Sequence, residues 1–400
     1  MEGSPSMHKL FAVCAPGVEP MMARELNQLG LSVCSPPSLS GSSLNDQDPG
    51  EEAGGVEFEG SLGDIYRANL HLRTAGRVLV RLGAFYAAVF PELRRKAGRL
   101  VWEGFLSPGQ SVALRVTCHG SRLYHERAVA ERVIGAIADR LGQPPSVNKL
   151  NENDDRDASQ LIVVRLKDDY CMVSVDSSGP LLHRRGYRLA TAKAPLRETL
   201  AAAMLLASRW NSASPLLDPF CGSGTLPIEA TLLAKRIPPG RGRRFAFMDW
   251  PNFDEGMWKA LFKEAAGAET LSSPRIIASD RDLGAIRAAK ANAKRAGVAD
   301  CIDFTCRSIS AIEPPPPPGW VVTNPPYGIR VSARKDLRNL YAQIGHVLRD
   351  KCPGWNVALL CSSTQLLCHT GLVFDEGLPL MNGGLKVRLV MGRVQGLAGT

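Results

Sequence analysis

The 400-residue chain lacks an apolar run long enough to span a bilayer. Its first residues, MEGSPSMHKLFAVCAPG, lack the basic start and long apolar block of a signal peptide, and also the Arg-rich pattern of a transit peptide. The ten cysteines form no CxxC pair and no Cys/His cluster at zinc spacing, which predicts reduced thiols. These absences predict a cytoplasmic protein with no membrane contact and no bound metal.

Several catalytic signatures are also missing. The sequence has no HExxH motif and no legible Ser-His-Asp arrangement, and its seven histidines show no metal spacing. Without GxGxxG, a nucleotide-dependent dehydrogenase is disfavoured, and without a Gly-Lys-Ser/Thr sequence the chain is not a P-loop ATPase. The absence of a Pro-Cys motif that attacks a pyrimidine ring disfavours carbon-5 methylation.

The residues that are present indicate a globular protein with a polyanionic partner. A hydrophobic fraction of 44% and a charged fraction of 22% are typical of soluble globular chains, and the length predicts two or three domains. The formal net charge of +9 favours a polyanionic partner. We predict that basic stretches near 94–99, 183–188 and 235–244 hold phosphates.

The chain up to about residue 176 mixes strand and helix patterns in an α+β order. A polar, Pro/Gly/Ser-rich stretch at 35–55 predicts a disordered loop, and HRRGYR at 183–188 a connector. Predicted strands cover 9–13, 55–59, 77–82, 112–116, 160–166 and 170–175, the last two forming a hairpin. Predicted helices cover 16–30, 64–77, 90–99, 126–141 and 196–210.

From residue 216 onward, short apolar strands alternate with helical stretches, which predicts a doubly wound, mostly parallel sheet. An insertion at 237–274, with a basic loop and an extra helix, interrupts this alternation. The predicted strands are LLDPF (216–220), RIIASD (275–280), CIDFTC (301–306), WVVTN (320–324) and NVALLC (356–361).

The octet DPFCGSGT follows the first of these strands and precedes a helix at 226–236. Glycines at a strand end let the backbone approach a nucleotide-like group closely, and an acid at the strand tip can accept ligand hydrogen bonds. Cys221 is better explained as a small loop residue than as a nucleophile. A bare GxG would alternatively be only a tight turn, whereas the whole octet predicts a cofactor site.

Asp280 closes the next strand, in ASDRD. In nucleoside-binding α/β folds an acid at the end of the second strand accepts hydrogen bonds from ribose hydroxyls. The usual gap is about 20 residues, and here it is far larger because the insertion lies between the two motifs. The alternative interpretation is that Asp280 only caps a helix.

The third motif, VTNPPYG, ends a strand at the sheet edge where open α/β folds bind ligands. Asn324 offers an amide oxygen, Pro325 leaves a carbonyl as a second acceptor, and Pro326 helps to fix the backbone. Tyr327 offers a face on which a planar ring can stack. Two acceptors beside a stacking ring suit the exocyclic amine of a base, although NPPY in isolation could be only a turn.

In this order, DPFCGSGT, ASDRD and TNPPYG resemble the S-adenosylmethionine-dependent methyltransferases that act on amino groups of bases. More narrowly, the chain resembles the THUMP-containing 23S, large-subunit ribosomal RNA guanine-N2 methyltransferases. Stretches along nearly the whole chain carry this resemblance: APGVEPMMARELNQLG, HRRGYRLATAKAPLRETLAAAML, PIEATLLAKRIPPGRGRRFAF and LMNGGLKVRL, which resembles the closing strand of the family.

The resemblance implies an α/β fold in which a Rossmann-like methyltransferase domain follows an α+β ferredoxin-like/THUMP RNA-binding region. The implied cofactor is S-adenosylmethionine, and the implied partner is large-subunit ribosomal RNA, free or in an assembly intermediate. The oligomeric state stays open. The predicted boundaries are 1–62 for the ferredoxin-like piece, 63–176 for the THUMP domain, 177–197 for a linker and 198–400 for the methyltransferase domain.

The resemblance also assigns roles to individual residues, with no metal among them. The methionine end of the cofactor would lie against the octet, whose members are Asp218, Phe220, Cys221, Gly222, Ser223, Gly224 and Thr225. Asp280 would hold the ribose, with Arg281 adjacent. Ser308 stands where the family usually has an aspartate for the adenine amino group. The guanine amine would be held by Asn324, Pro325, Pro326 and Tyr327.

This chain departs from the family pattern at two more points. Ile329 follows NPPYG where a glutamate is frequent. Some family members continue into a second methyltransferase domain that modifies guanine N7, and we expect this chain to lack that activity. The residues leave other functions open: methylation of adenine N6, methylation of guanine N2 in tRNA, or a non-catalytic RNA-binding role in ribosome assembly.

Overall fold

The computed structural model describes residues 6–34, 54–149, 159–189, 196–327 and 334–396. The predicted loop at 35–55 lies outside these ranges, apart from its last two residues. Contacts divide the chain into two compact units. The first comprises Met1–Cys14, Met22–Leu182 and Arg243–Glu264, and the second Ala15–Met21, His183–Gly242 and Ala265–Thr400. In the described ranges, no helix combines the length and apolar character needed to cross a membrane.

The N-terminal part of the chain alternates strands and helices, as predicted. Its strands are β1 (His8–Val13), β2 (Ser32–Val33), β3 (Gly55–Gly60), β4 (Arg77–Tyr86), β5 (Ser111–His119), β6 (Ser146–Val147), β7 (Gln160–Lys167) and β8 (Tyr170–Asp176). Its helices are α1 (Glu19–Gln28), α2 (Leu62–His71), α3 (Phe90–Ala97) and α4 (Glu126–Leu141).

Among the described residues of the first unit, these strands form one sheet in the order β2-β3-β1-β4-β8-β7-β5-β6. Neighbours from β3 to β7 pair antiparallel, and the predicted β7–β8 hairpin is confirmed. β5 lies next to β7, on the side opposite to β8, and runs parallel to β7. The connection between these two parallel strands is a crossover that contains α4. The result is the mixed α+β arrangement that the strand and helix patterns predict.

The helix predicted at 64–77 is shorter than expected. Ser61 and Asp64 form a capping box that begins α2, and the backbone leaves the helix at Leu72. The buried carboxylate of Glu25 then accepts the backbone N–H groups of Arg73 and Thr74, at 2.8 and 3.0 Å. A contact from a residue far away in the sequence therefore satisfies donors that a longer helix would have paired internally.

The C-terminal part of the chain is built on parallel strands. Its helices are α5 (Glu198–Ala207), α6 (Thr225–Ala234), α7 (Glu255–Gly267), α8 (Leu283–Arg295), α9 (Arg334–Lys351) and α10 (Thr364–His369). Its strands are β9 (Leu216–Asp218), β10 (Ile276–Asp280), β11 (Ile302–Cys306), β12 (Trp320–Thr323), β13 (Asn356–Cys361), β14 (Leu378–Asn382) and β15 (Leu385–Arg393).

The described strands of the second unit form a sheet in the order β11-β10-β9-β12-β13-β15-β14. The five strands from β11 to β13 are parallel, and β15 and β14 add an antiparallel edge. The chain fills the sheet outward from β9 in one direction and then restarts at β12 on its other side. The carboxyl ends of β9 and β12 therefore form a topological switch point, which is where open α/β sheets bind ligands.

The stretch LMNGGLKVRL does not form one closing strand, so that expectation was wrong. It contains the end of β14, a turn at Gly383 and Gly384, and the start of β15. Both glycines have positive φ, 56° and 84°. Two consecutive residues in this region make the tight turn that joins antiparallel strands.

The predicted insertion contains its predicted extra helix, α7, but much of it contributes to the core of the first unit. Phe247 is fully buried and stacks on Tyr66 at 4.4 Å between ring centroids. The indole of Trp258 meets the Phe247 ring edge-on at 5.5 Å. Trp250 donates its indole N–H to the Gln160 side chain at 2.7 Å. Residues 243–264 thus complete a core that begins far earlier in the chain.

Candidate active site

Three polar residues lie at the carboxyl ends of neighbouring strands in the second unit. Asp218 ends β9, Asp280 ends β10 and Thr323 ends β12. The order β10-β9-β12 and the parallel pairing bring these ends to one edge of the sheet. The predicted motifs DPFCGSGT, ASDRD and TNPPYG therefore begin side by side at the switch point.

Asp218 is the most deeply buried acid of this edge, with 2% exposure. Its Oδ1 accepts from the Thr323 hydroxyl at 2.7 Å and from the Phe220 backbone N–H at 3.2 Å. Burial, with a smaller contribution from the nearby charge of Asp280, raises the pKa of Asp218 to about 7, against the lowering effect of these two hydrogen bonds. The side chain ties β9 to β12 across the switch point.

The glycines of the octet serve different purposes. Gly222 has a φ of +53°, and a Cβ added there would meet open space. Its N–H donates to Asp280 Oδ2 at 3.0 Å, which joins the loop to β10. Gly224 has a φ of +85°, and a Cβ there would lie 2.9 Å from the Ala289 Cβ on α8. The first glycine leaves a face of the loop open, and the second permits helix packing.

The rest of the octet supports the loop. Cys221 is buried, and its N–H donates to the Ser279 carbonyl at 3.0 Å. Burial and the carboxylates of Asp218 and Asp280 raise the pKa of the Cys221 thiol, so it stays protonated and is no nucleophile. The other members are placed as follows: Phe220 packs against the core under the sheet, Ser223 and Thr225 are buried, and Thr225 begins α6.

Asp280 is not the cap of the following helix, so that alternative interpretation is wrong. Asp282 caps α8, with its Oδ1 accepting from the Gly284 N–H at 2.7 Å. Asp280 instead accepts from Gly222 with one oxygen and from the Asp282 N–H, at 2.9 Å, with the other. Arg281 is exposed between the two acids.

Asn324 carries a buried amide oxygen that accepts no hydrogen bond from the part of the chain that the structure describes. Pro325 beside it is buried, and Pro326 is half-buried. Tyr327 is half-buried, and its hydroxyl accepts from the Asn382 side-chain amide at 2.8 Å. The motif therefore combines two features: an acceptor with no hydrogen-bond partner among the described residues, and an aromatic ring whose hydroxyl is held by Asn382 of β14.

Ser308 precedes a short 3-10 turn at Ile309–Ala311. It is exposed enough to share a hydrogen bond, at 2.8 Å, with the hydroxyl of the exposed Ser310. Its assignment to the adenine end of a cofactor remains a prediction.

Two arginines of the basic connector HRRGYR, Arg185 and Arg188, pair with carboxylates. Arg185 is 6% exposed, and its Nε lies 3.6 Å from Glu229 Oε1. The Arg188 guanidinium lies 3.1 Å from Glu198 Oε2. The predicted phosphate role is therefore wrong for these two side chains, because buried charges are retained where opposite charges pair with them.

Two polar residues of the site were not singled out from the sequence. Thr323 was legible in principle, because it directly precedes Asn324 at the strand end. Asn382 reaches Tyr327 from 55 positions further along the chain, and no local pattern marks it.

The donor and acceptor set fits S-adenosylmethionine. A nucleoside-linked amino acid needs acceptors for its ribose hydroxyls and ammonium group and an open backbone face. Asp280 and Asp218 are carboxylate acceptors, and Gly222 leaves the face of its loop open. Parallel strands, switch point and glycine loop together define a Rossmann-like site for a nucleoside-containing cofactor.

Comparison with known proteins agrees with this geometry. Residues 185–390 match the RMKL-like methyltransferase domain, residues 9–37 and 44–79 the RlmL ferredoxin-like domain, and residues 87–176 the THUMP domain. The chain is 34% identical over 383 residues to slr0064 of Synechocystis sp., covering 95% of each protein. It is 36% identical to the "Ribosomal RNA large subunit methyltransferase K/L" of Syntrophotalea carbinolica, covering 96% of this chain and 53% of that one.

Solved structures resemble the whole chain. SMU.472 in complex with SAH superposes with a TM-score of 0.83 at 27% identity and covers 100% of each chain. A Listeria monocytogenes structure titled "predicted N6-adenine-specific DNA methylase" has a TM-score of 0.81 at 31% identity and covers 98% of this chain and 97% of that one. The chain spans about half the length of the K/L relatives it matches.

The protein is a methyltransferase with S-adenosylmethionine as its cofactor. It belongs to the family defined by the RMKL-like methyltransferase domain, preceded by ferredoxin-like and THUMP domains. The predicted α/β fold class and family resemblance are confirmed. The individual domain boundaries stay a prediction, as do the roles of the single site residues.

Proposed function

We propose that this protein transfers a methyl group from S-adenosylmethionine to the exocyclic N2 amine of a guanine in large-subunit ribosomal RNA. The observation that carries the proposal is the buried Asn324 amide oxygen, which accepts no hydrogen bond from the described residues. A buried acceptor left unpaired costs about 1–3 kcal/mol. An amine donor from a substrate would remove this cost at the edge where the cofactor motifs meet.

Methyl transfer to an amine depends more on how the amine and the methyl group are positioned than on acid–base groups. S-adenosylmethionine supplies the methyl group on a positively charged sulfur, and a guanine N2 amine is a weak nucleophile because its lone pair is delocalised into the ring. Asn324 Oδ1 and the Pro325 carbonyl, as acceptors, would favour the rehybridised, more positive nitrogen of the transition state. Holding the amine in line for displacement lowers the remaining barrier through orientation.

Tyr327 would hold the plane of the base. Its hydroxyl is fixed by Asn382 at 2.8 Å, which limits rotation of the ring and prepares one face for stacking. The target guanine must leave a stack or sit in a loop to reach this face. The match to the THUMP domain supports an RNA substrate, and the names of the K/L relatives support ribosomal RNA.

Adenine N6 is the second candidate acceptor, because NPPY alone selects an amine and the Listeria neighbour bears an N6-adenine title. Ribosomal RNA and tRNA from cells that lack the gene, each incubated with purified protein and isotope-labelled cofactor, test both acceptors. We expect labelled N2-methylguanosine at one large-subunit position, read by nucleoside mass spectrometry. Labelled N6-methyladenosine would show that the acceptor is adenine N6 and overturn guanine N2. Label in tRNA alone would exclude ribosomal RNA as the substrate.

A further inference from the structure

The carbonyl of Ser223, in the middle of the glycine loop, is held by a side chain from a neighbouring helix. Asn292 on α8 is fully buried and donates its amide N–H to this carbonyl at 2.9 Å. The flanking glycines have positive φ, so the loop backbone has conformational freedom that other residues would not give it. The Asn292 bond is therefore one of the few restraints on the middle of the loop.

A chain of hydrogen bonds continues behind Asn292. Its amide oxygen accepts from the guanidinium of Arg295, one helical turn later. Arg295 also donates through Nε to the backbone carbonyl of Tyr187, at 2.7 Å. Tyr187 belongs to the connector HRRGYR, so the connector is joined to the glycine loop through two side chains of α8.

This series of hydrogen bonds returns to the glycine loop through α6, the helix that follows the loop. The Tyr187 hydroxyl donates to Glu229 Oε1 at 3.0 Å, and Glu229 lies on α6, which begins at the end of the octet. Burial and the carboxylates of Glu229 and Glu198 raise the pKa of Tyr187, so its hydroxyl keeps the proton that it donates. The Arg185 guanidinium balances the charge of Glu229 at 3.6 Å.

We propose that Asn292 is a positioning residue: it holds the Ser223 backbone in the shape that receives S-adenosylmethionine. Arg295 and the connector residue Tyr187 in turn hold Asn292 in place. None of the three is assigned to the cofactor itself. The inference rests on the proposed location of the cofactor at the glycine loop. It gives the buried polar residues of the connector a function in the second unit that phosphate binding does not explain.

Substitution of Asn292 by alanine tests the proposal in the full-length protein. Without the amide the buried Ser223 carbonyl loses its partner, and the loop relaxes away from its present shape. We expect the Kd for S-adenosylhomocysteine, measured by calorimetry, to rise about tenfold or more. The KM for S-adenosylmethionine should rise in parallel, while kcat at saturating cofactor changes by less than about threefold. An unchanged Kd in the folded variant overturns the proposal.

Asn292→Asp is the matched variant, because a carboxylate still accepts from Arg295 but no longer donates to Ser223. We expect it to bind S-adenosylhomocysteine as weakly as Asn292→Ala. Thr231→Ala controls for stability, since this buried hydroxyl on α6 donates only to the Pro227 carbonyl of its own helix. If Thr231→Ala lowers Tm as much as Asn292→Ala and also weakens binding equally, the effect is general destabilisation and the proposal fails.

A double-mutant cycle tests whether Arg295 acts through Asn292. Arg295→Met should raise the Kd severalfold, and the Arg295→Met, Asn292→Ala pair should be no worse than Asn292→Ala alone. If the two substitutions raise the Kd independently, so that their effects multiply in the double variant, Arg295 does not act through Asn292. Asp280→Ala separates this inference from the site itself: normal binding in Asp280→Ala refutes the cofactor location, whereas weak binding there with normal binding in Asn292→Ala refutes only the positioning role.

Discussion

At the scale of single residues, the amide oxygen of Asn324 is the group on which methyl transfer should depend. We expect Asn324→Ala to lower kcat by about 10²–10³-fold, the loss typical when one group that stabilises a transition state is removed. Incorporation of labelled methyl groups into ribosomal RNA measures this. Calorimetry with S-adenosylhomocysteine should give a Kd within about twofold of the wild type, and turnover near the wild-type rate would eliminate the amine-holding role.

Asp218 should make stability depend on pH in a specific window. Its pKa is raised from 3.8 to about 7 in the folded protein, so between these values the unfolded chain binds fewer protons than the native one. The free energy of unfolding should therefore fall as pH rises from about 4 to about 7 and level off above.

Asp218→Asn removes this titration and keeps an oxygen that can accept from Thr323. We expect the variant to be more stable than the wild type at pH 8, by on the order of 2–4 kcal/mol, and similar to it at pH 4. Urea unfolding of both proteins at pH 4, 6 and 8 measures the difference. A difference that does not change with pH would contradict the raised pKa of this buried acid.

The sequence located the acids and the amide of the site because strand ends are marked by local patterns. Asp218, Asp280 and Asn324 each follow an apolar run, and the parallel sheet brings such ends together. The predicted phosphate-binding role was wrong for Arg185 and Arg188, because a basic hexapeptide indicates an exposed segment when its acidic partners are not known. Those partners, on α6 and α5, depend on tertiary packing that no spacing rule encodes.

At the scale of elements, the two positive-φ glycines of the octet should respond differently to alanine. Gly224→Ala places a methyl group 2.9 Å from the Ala289 Cβ, in addition to the cost of a left-handed backbone. We expect its free energy of unfolding to fall by about 2–4 kcal/mol. Urea denaturation followed by tryptophan fluorescence measures this loss.

Gly222→Ala is the matched comparison, because its methyl group meets no atom within 4 Å. We expect a stability loss of only about 1–2 kcal/mol, but a clear rise in the Kd for S-adenosylhomocysteine, since the methyl group would occupy the open face of the loop. Unimpaired cofactor binding by Gly222→Ala would show that this face is not used.

The strands of the second unit were predictable because buried parallel strands are continuous apolar runs. The resemblance implies a single strand at 380–389, whereas the structure has the β14–β15 hairpin there, for which Gly383-Gly384 is a local signal. The end of α2 could not be predicted, because Glu25 that receives the freed backbone donors lies 48 positions away from Arg73.

At the scale of the whole molecule, the aromatic part of the insertion should stabilise the first unit. Phe247 is fully buried between Tyr66 and Phe245, with centroid distances of 4.4 and 5.2 Å. We expect Phe247→Ala to cost about 3–5 kcal/mol and to increase hydrogen exchange in β4 and β7. Peptide-resolved exchange by mass spectrometry measures both units at once.

Lys259→Ala is the control for this variant, because Lys259 lies in the same segment, is exposed and forms a surface ion pair with Glu255. It should change stability by less than about 0.5 kcal/mol. Faster exchange confined to the strands of the second unit in Phe247→Ala would contradict the assignment of residues 243–264 to the first unit. The sequence indicates the insertion and its helix. The partners of the insertion could not be predicted, because Gln160 and Tyr66 lie 90 and 188 positions from the residues that they contact and no local pattern marks them.

The return of residues 243–264 to the first unit has a consequence for biosynthesis. Met22–Leu182 leaves the ribosome well before the segment that completes its core. At about 5–20 residues per second, the stretch from 183 to 264 takes roughly 4–16 s to translate. For that interval Tyr66 and its neighbours lack their aromatic partners on the nascent chain, and the core of this unit can close only after Phe247 and Trp258 have been synthesised.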